Sequence, residues 1–258
     1  MRDSTQSAIF GALSNELRMS SIANNLANVN TSAFKKDKLA FHDTFIRFAH
    51  DYLVDAKTYI RGEDMFPEGH IMAKARLSAQ QADLSQGSME RTGNQLDFAL
   101  SGPGFFSVQG DTAMLYTRAG NFVTDGDGML KTVDGYPVMV GGGPLIIPQG
   151  GRIQVDDEGN IQVNGEPAGS FDVVDFDSPE LLERVGSNNY IMPTGGAQIP
   201  PQDVSVAQGF IEKSNVEVVT EMVSMIETQR AFTMYTKMIQ GDSDLDSKLI
   251  NQVGRPTA

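Results

Sequence analysis

The chain contains no cysteine, which excludes a disulfide framework and any thiolate metal site and leaves the redox compartment open. Histidine is almost as scarce. His42, His50 and His70 are the three present, and no carboxylate spacing around them repeats a metal motif. No run of 18 apolar residues occurs, so no membrane-spanning helix is expected. The first residues lack a basic stretch followed by an apolar one, so no general secretory leader is expected either. Cations are outnumbered, 20 Lys and Arg against 33 Asp and Glu for a formal net charge of −13, which argues against nucleic acid and anionic membranes as partners.

The remaining composition is that of a soluble chain able to bury a core: 258 residues, 40% hydrophobic. That length admits one or two domains. Charge is unevenly distributed. Residues 1–40 hold five Lys or Arg and three Asp or Glu, or +2, and residues 208–258 hold five and seven, or −2. The acidic middle therefore carries all of the net charge, and the opposite signs at the ends favour their pairing weakly once salt screens them.

Both ends carry helical periodicity. Phe10, Leu13 and Leu17 step by three and four, as do Met19, Ile22, Leu26 and Val29, predicting a helix from about Ser4 to Val29 with two apolar stripes. Asn24, Asn25, Asn28 and Asn30 interrupt it, at roughly 0.5 kcal/mol each relative to alanine. Asn30 is expected to end the helix in the left-handed conformation, and the same role suits Asn28. For Asn24 and Asn25 two readings stand: helix termination, or amides that fix register inside a helix–helix contact. Toward the other end, Ser214 and Glu217 have capping-box spacing. The helix they would open carries Val218, Met222, Met225, Phe232 and Ile239 on one stripe and Val219, Val223 and Ile226 on another. Gln229 and Thr236 occupy polar heptad positions of the first stripe. Gly241 is expected to weaken or kink this helix, with Leu245 and Leu249 resuming it to about Gln252.

Between the ends the period changes. Phe41, Phe45, Ile46 and Phe48 suggest a short helix, and Arg61 to Pro67 a turn and extended chain, in a connector over 36–82. From Asp83 to Val206, short apolar runs alternate with turn dipeptides at Asp125-Gly126, Asp127-Gly128, Asp134-Gly135 and Asn164-Gly165, the pattern of an antiparallel β domain. Ile153 to Val155 and Ile161 to Val163 flank the polar turn Asp157–Asn160 as a hairpin. Gly102 and Gly104 allow a tight turn that lets Phe105 and Phe106 plug the core, and Thr92 to Asn94 suggests another turn. Residues 165–205, with Gly195-Gly196 and Pro200-Pro201, are expected to be a surface excursion. The fold class expected is α+β, with paired, coiled-coil-like terminal helices (1–35 and 207–258), the connector (36–82) and the β domain (83–206).

No catalytic constellation emerges. Asp125, Asp127 and Gly128 begin like a calcium loop, but Met129 and Tyr136 stand where oxygen ligands belong. Asp156 to Glu158 sit at a hairpin tip, and Gly141 to Gly143 precede Pro144 instead of a helix. No nucleophile, base and orienter assemble, so neither enzymatic activity nor a cofactor or metal is expected.

The run IANNLANVNT with Phe34 and Lys35, together with QGFIEKSNVEVVTEM and Gln229, Arg230 and Ala231, resembles the terminal signature of the bacterial flagellar rod and hook axial proteins. QGSMERTGNQLDFAL from Gln86, GPGFF from Gly102 and YTRAGNF from Tyr116 are similar to the same family. One departure is Ala33, where the family usually has glycine; alanine is less free at positive φ. The resemblance implies a structural subunit of the periplasmic flagellar rod that transmits torque, is exported through the flagellar apparatus without a cleaved signal, and packs against other rod proteins and copies of itself. It implies assembly through Leu13, Leu17, Ile22, Asn24, Asn25, Leu26, Asn28 and Val29 at one end. At the other end it implies Ser214, Asn215, Val218, Met222, Met225, Ile226, Gln229, Arg230 and Phe232. Each helix has more than one apolar stripe and a single partner covers one, so the ends are expected to order fully only among neighbouring subunits. Length and connector resemble the proximal-rod member more than distal-rod or hook members. Outside the family, the alternatives are a secreted cell-wall-binding protein or enzyme, and a filament-type adhesin.

Overall fold

Helix α1 covers Arg2–Ala27 and helix α2 covers Val218–Val253. The computed structural model describes residues 2–46, 72–148, 150–186, 188–193 and 195–253. The chain divides into two compact units, one of residues 1–23, 38–81 and 222–258, the other of residues 24–37 and 82–221. The fold class is α+β, with the terminal helices paired.

In the first unit the helices run antiparallel. Thr5 Oγ1 donates to Asp242 Oδ2 at 3.0 Å, and a Cβ at Gly11 would lie 2.6 Å from the Tyr235 ring. Six residues onward along α1 therefore correspond to seven residues back along α2. Met225, Thr228, Phe232, Tyr235, Ile239 and Asp242 are shielded positions of α2 spaced three and four apart, as a coiled-coil seam requires, with Ser224, Ala231 and Thr236 half-buried beside them. Met225, Phe232 and Ile239 belong to the expected stripe. Of the polar positions expected in the stripe, Gln229 is exposed with Thr228 buried beside it, and Thr236 is half-buried beside Tyr235. On α1, Ala8 and Ile22 are buried, and Phe10 and Met19 are half-buried. Gly241 causes no break: α2 runs through it, its missing side chain faces open space, and one glycine costs about 1 kcal/mol in a helix of this length.

The connector departs from expectation. Asp37–Ile46 is a strand that pairs with Met72–Ala82 in a two-stranded sheet, so Phe41, Phe45 and Ile46 do not form a short helix. Leu39, Phe41 and Phe45 fall on a period of two, and β-prone aromatics on that period favour a strand. Phe48 and Arg61 to Pro67 lie outside the described residues.

The second unit is built on a six-stranded antiparallel sheet in the order Glu183–Val185, Asn189–Ile191, Met114–Thr117, Phe105–Gln109, Val173–Phe176, Gln198–Ile199. Four of these strands come from the stretch expected to be a surface excursion. That stretch supplies Phe171, Phe176 and Tyr190 to the core, spaced too irregularly for a period of two to reveal them. Alternation along Phe105–Gln109 divides the interior. Phe106 and Val108 enter a large core with Phe98, Leu100, Phe122 and Ile161, while Phe105 enters a smaller one with Tyr116, Phe176 and Tyr190. The expected hairpin forms with Ile153 opposite Val163 and Val155 opposite Ile161. Its neighbour turns at Asn164 and Gly165, both at positive φ, as a two-residue type I′ loop requires.

Candidate functional site

The family-like stretches lie far apart in sequence and meet in the second unit around one buried charge cluster. Lys35 follows α1 and its exit turn, and Glu212 ends the strand Phe210–Glu212, which pairs with Met89–Arg91. Both side chains are fully buried, with Lys35 Nζ 2.5 Å from Glu212 Oε1. The same oxygen accepts the Gly87 N–H at 2.8 Å, and Lys35 Nζ also donates to the Ser85 carbonyl at 2.7 Å. Gly87 has no room for a side chain, since a Cβ would stand 1.9 Å from the Lys213 carbonyl oxygen. Arg118 adds a second cation. Its Nη1 is 3.7 Å from Glu212 Oε2, its Nη2 donates to the Gly102 carbonyl at 2.8 Å, and its guanidinium lies 5.3 Å from the Phe105 ring centre. Burial pulls the Lys35 ammonium and the Arg118 guanidinium below their ordinary pKa values, and Glu212 opposes both shifts. A charge this deep persists only when paired.

Next to this cluster the backbone of Lys36 and Asp37 is held by two asparagines. Asn25 Oδ1 accepts the Asp37 N–H at 2.8 Å and Asn25 Nδ2 donates to the Asp37 carbonyl at 3.1 Å, meeting both polar groups of one residue as a neighbouring strand would. Asn24 Nδ2 donates to Asp37 Oδ2 at 3.1 Å. Asn215 Oδ1 accepts the Lys36 N–H at 2.8 Å, and its Nδ2 donates to the carbonyls of Asp83 at 2.8 Å and Ser85 at 3.1 Å. Two further ion pairs close the group: Lys36 with Glu221, and Arg184 with Asp37 at 3.1 Å. Arg184 also donates to the Lys35 carbonyl at 2.5 Å and stacks 4.5 Å from the Phe34 ring centre.

Several expectations change here. The bonds of Asn24 and Asn25 go to Asp37, not into a seam between helices. Asn28 lies just past the end of α1 at Ala27, with its Nδ2 donating to the Asn24 carbonyl at 2.9 Å, but it is not left-handed. The left-handed residue of the exit turn is not Asn30 but Ala33, at φ 55°. That conformation aims the Ala33 N–H at the Glu212 carbonyl, 2.7 Å away. No Ser214–Glu217 capping box forms: Ser214 Oγ accepts the Val216 N–H at 3.2 Å, and α2 begins at Val218 with the Glu217 carbonyl accepting the Glu221 N–H at 3.0 Å. Asp125 pairs with Lys131 at 2.6 Å, as a turn residue does.

The other expected residues divide by exposure. Ile22 is buried; Leu26, Val29, Met225 and Phe232 are half-buried. Leu13, Leu17, Val218, Met222, Ile226, Gln229 and Arg230 are exposed. Glu212, Arg118, Asp37 and Arg184 were not foreseen as a charged group. Lys35, Arg118 and Glu212 all lie in family-like runs, and their immediate neighbours, Lys36, Thr117 and Lys213 among them, carry no local signal of burial.

Paired terminal helices mark the first unit, and a network of fixed polar contacts around Lys35, Asp37 and Glu212 marks the second. Residues 207–252 match the family model for the flagellar basal body rod FlgEFG protein C-terminal region, and residues 99–163 match that for the flagellar hook protein FlgE/F/G D1 domain. The flagellar basal-body rod protein FlgF of Mesorhizobium japonicum is 30% identical, over 98% of this chain and 99% of its own length. FlgF of Caulobacter vibrioides is 32% identical over 91% of both chains. The rod protein FlgG of Bacillus subtilis is 31% identical over 97% of this chain and 99% of its own. The chain belongs to the flagellar basal-body rod FlgE/F/G family, which is structural and not enzymatic. Among the described residues, no helix is long and apolar enough to cross a membrane.

Proposed function

We propose that this chain is a torque-transmitting subunit of the periplasmic rod that assembles helically through its terminal helices. The observation that carries this is the apolar surface left over after α1 and α2 pair. Ile9, Leu13 and Leu17, four residues apart along α1, are 49%, 50% and 39% exposed. On α2, Val219, Val223 and Ile226 are 70%, 51% and 51% exposed. One partner helix has covered one stripe of each, and further subunits cover the rest at about 25 cal/mol per Å² of apolar surface removed from water. A heterologous contact repeated without closure produces a helical tube. Its partners are then other rod proteins and copies of itself, reached by export through the flagellar apparatus without a cleaved signal, as family membership supports.

Electron microscopy of basal bodies from a strain lacking this chain tests the proposal. Rods that stop short are expected, and intact rods would overturn it. Relatives named FlgF and relatives named FlgG match at similar identity, so the second reading within the family is a distal in place of a proximal position. The point at which growth stops decides between them. Circular dichroism tests the expectation that the ends order on assembly: helix content should rise from free chain to assembled rod.

A further inference from the structure

The chain enters or leaves the β-containing unit four times, between residues 23 and 24, 37 and 38, 81 and 82, and 221 and 222. Lys36 and Asp37 hold a residue beside every one of these points. Asn24 donates to the Asp37 carboxylate at 3.1 Å, and Asp37 is itself the last residue before the second passage. The Asp83 N–H donates to the Lys36 carbonyl at 2.7 Å, two residues past the third. Glu221, the last residue before the fourth, pairs with Lys36 Nζ while 2% exposed. Asn215 adds a bond to each side, accepting from the Lys36 N–H and donating to the Asp83 carbonyl, both at 2.8 Å.

We infer that Lys36 and Asp37 form a four-way clamp, and that force entering the β unit through any one passage is shared among all four. This rests on the rod function proposed above. A buried Lys35–Glu212 pair alone would stabilise the core without joining the passages. The dipeptide beside it spends its backbone and both side chains on them. Polar contacts suit a fixed joint because each has a defined length and direction, whereas apolar contacts slide.

The test uses the full chain with two variants, Glu221→Gln, which keeps shape and removes charge, and Asn215→Ala. Amide hydrogen exchange is followed in residues 33–38 and 82–88 against the hairpin at 153–163, and swimming speed is measured in media of increasing viscosity in cells carrying each variant. Exchange in the two clamp segments is expected to accelerate roughly tenfold or more, the effect of losing one charged or buried hydrogen bond, with the hairpin unchanged. Swimming should slow more steeply with viscosity than in wild type. Unchanged exchange at the clamp in both variants, or acceleration spread equally over the hairpin, overturns the clamp. Local loosening with unaltered swimming under load also overturns it as a force path, while rods still assembled keep the proposed function standing. If neither variant builds rods, the contacts determine assembly and the inference falls. A strain lacking the chain that still builds complete rods removes the proposed function itself, whatever the exchange shows.

Discussion

The helix pair and the charged junction solve opposite problems with opposite chemistry. On the helices, apolar side chains outnumber the positions that one partner can cover, and Leu13, Val219 and Ile226 remain in solvent. At the junction, hydrogen bonds and ion pairs within the unit engage Asn25, Asn215 and Lys35 on every side. The first region leaves apolar side chains in solvent, and the second holds its charges buried, with Arg118 Nε, Arg118 Nη1, Arg184 Nε and Glu212 Oε2 lacking a hydrogen-bond partner. Burial without direction suits the several neighbours proposed for the helices, and directed bonds fix one backbone geometry within the β unit.

If that contrast is correct, changes at the junction register in the lone chain, while changes on the helix faces register only in the assembly. The largest effect is expected from Glu212→Ala, which strands Lys35 and Arg118 without their carboxylate. Urea unfolding should show a loss of about 3–5 kcal/mol. Ala33→Val comes next, at about 1–3 kcal/mol in the same measurement, because a β-branched residue is forced to positive φ in a buried turn. Ala33→Gly should stay within about 1 kcal/mol of wild type, relief of the left-handed strain offsetting the lost methyl burial and the added chain entropy.

A pH measurement sharpens the point through Tyr190 and Tyr116, whose phenols burial holds above their ordinary pKa. The folded chain keeps these protons where the unfolded chain has released them. Their contribution is therefore full below about pH 10 and is lost as pH rises through the folded values. Lys35 and Arg118, shifted downward by burial, act in the opposite sense over alkaline pH. The informative quantity is thus the difference between wild type and Tyr190→Phe, with the variant losing less stability per pH step above 10. The smallest effect on the lone chain belongs to Val223→Asp, within about 0.5 kcal/mol by urea unfolding. Motility and rod assembly should nevertheless fail in cells that carry it.

What was legible beforehand follows the same division. Both helices, the hairpin at 153–163 and the turn at Asn164-Gly165 announced themselves because period and turn chemistry are local. The polar place at Gln229 was misplaced by one position, since Gln229 is exposed and Thr228 is buried, whereas Thr236 is half-buried as expected. Thr228 is as polar as Gln229, so composition alone does not separate the two. The junction stayed hidden as a site because Asn25 and Asp37, or Lys35 and Glu212, are neighbours only after folding. Asn24 and Asn25 stood out as costly residues in a helix, but the peptide they satisfy belongs to Asp37, beyond the turn that Ala33 makes possible. The strands of 165–205 escaped for a related reason: Val173–Phe176 joins Phe105–Gln109 and Asn189–Ile191 joins Met114–Thr117, and little in their own spacing records it.

The separation between Lys35 and Glu212 is 177 residues, which bears on when this subunit becomes itself. A chain delivered from its first residue onward must keep Lys35 and Arg118 waiting in water through most of its length. The β unit can close only after the segment reaching Glu221 has arrived. Loop closure over such a span is slow, so the timing of maturation is written into one late-arriving carboxylate.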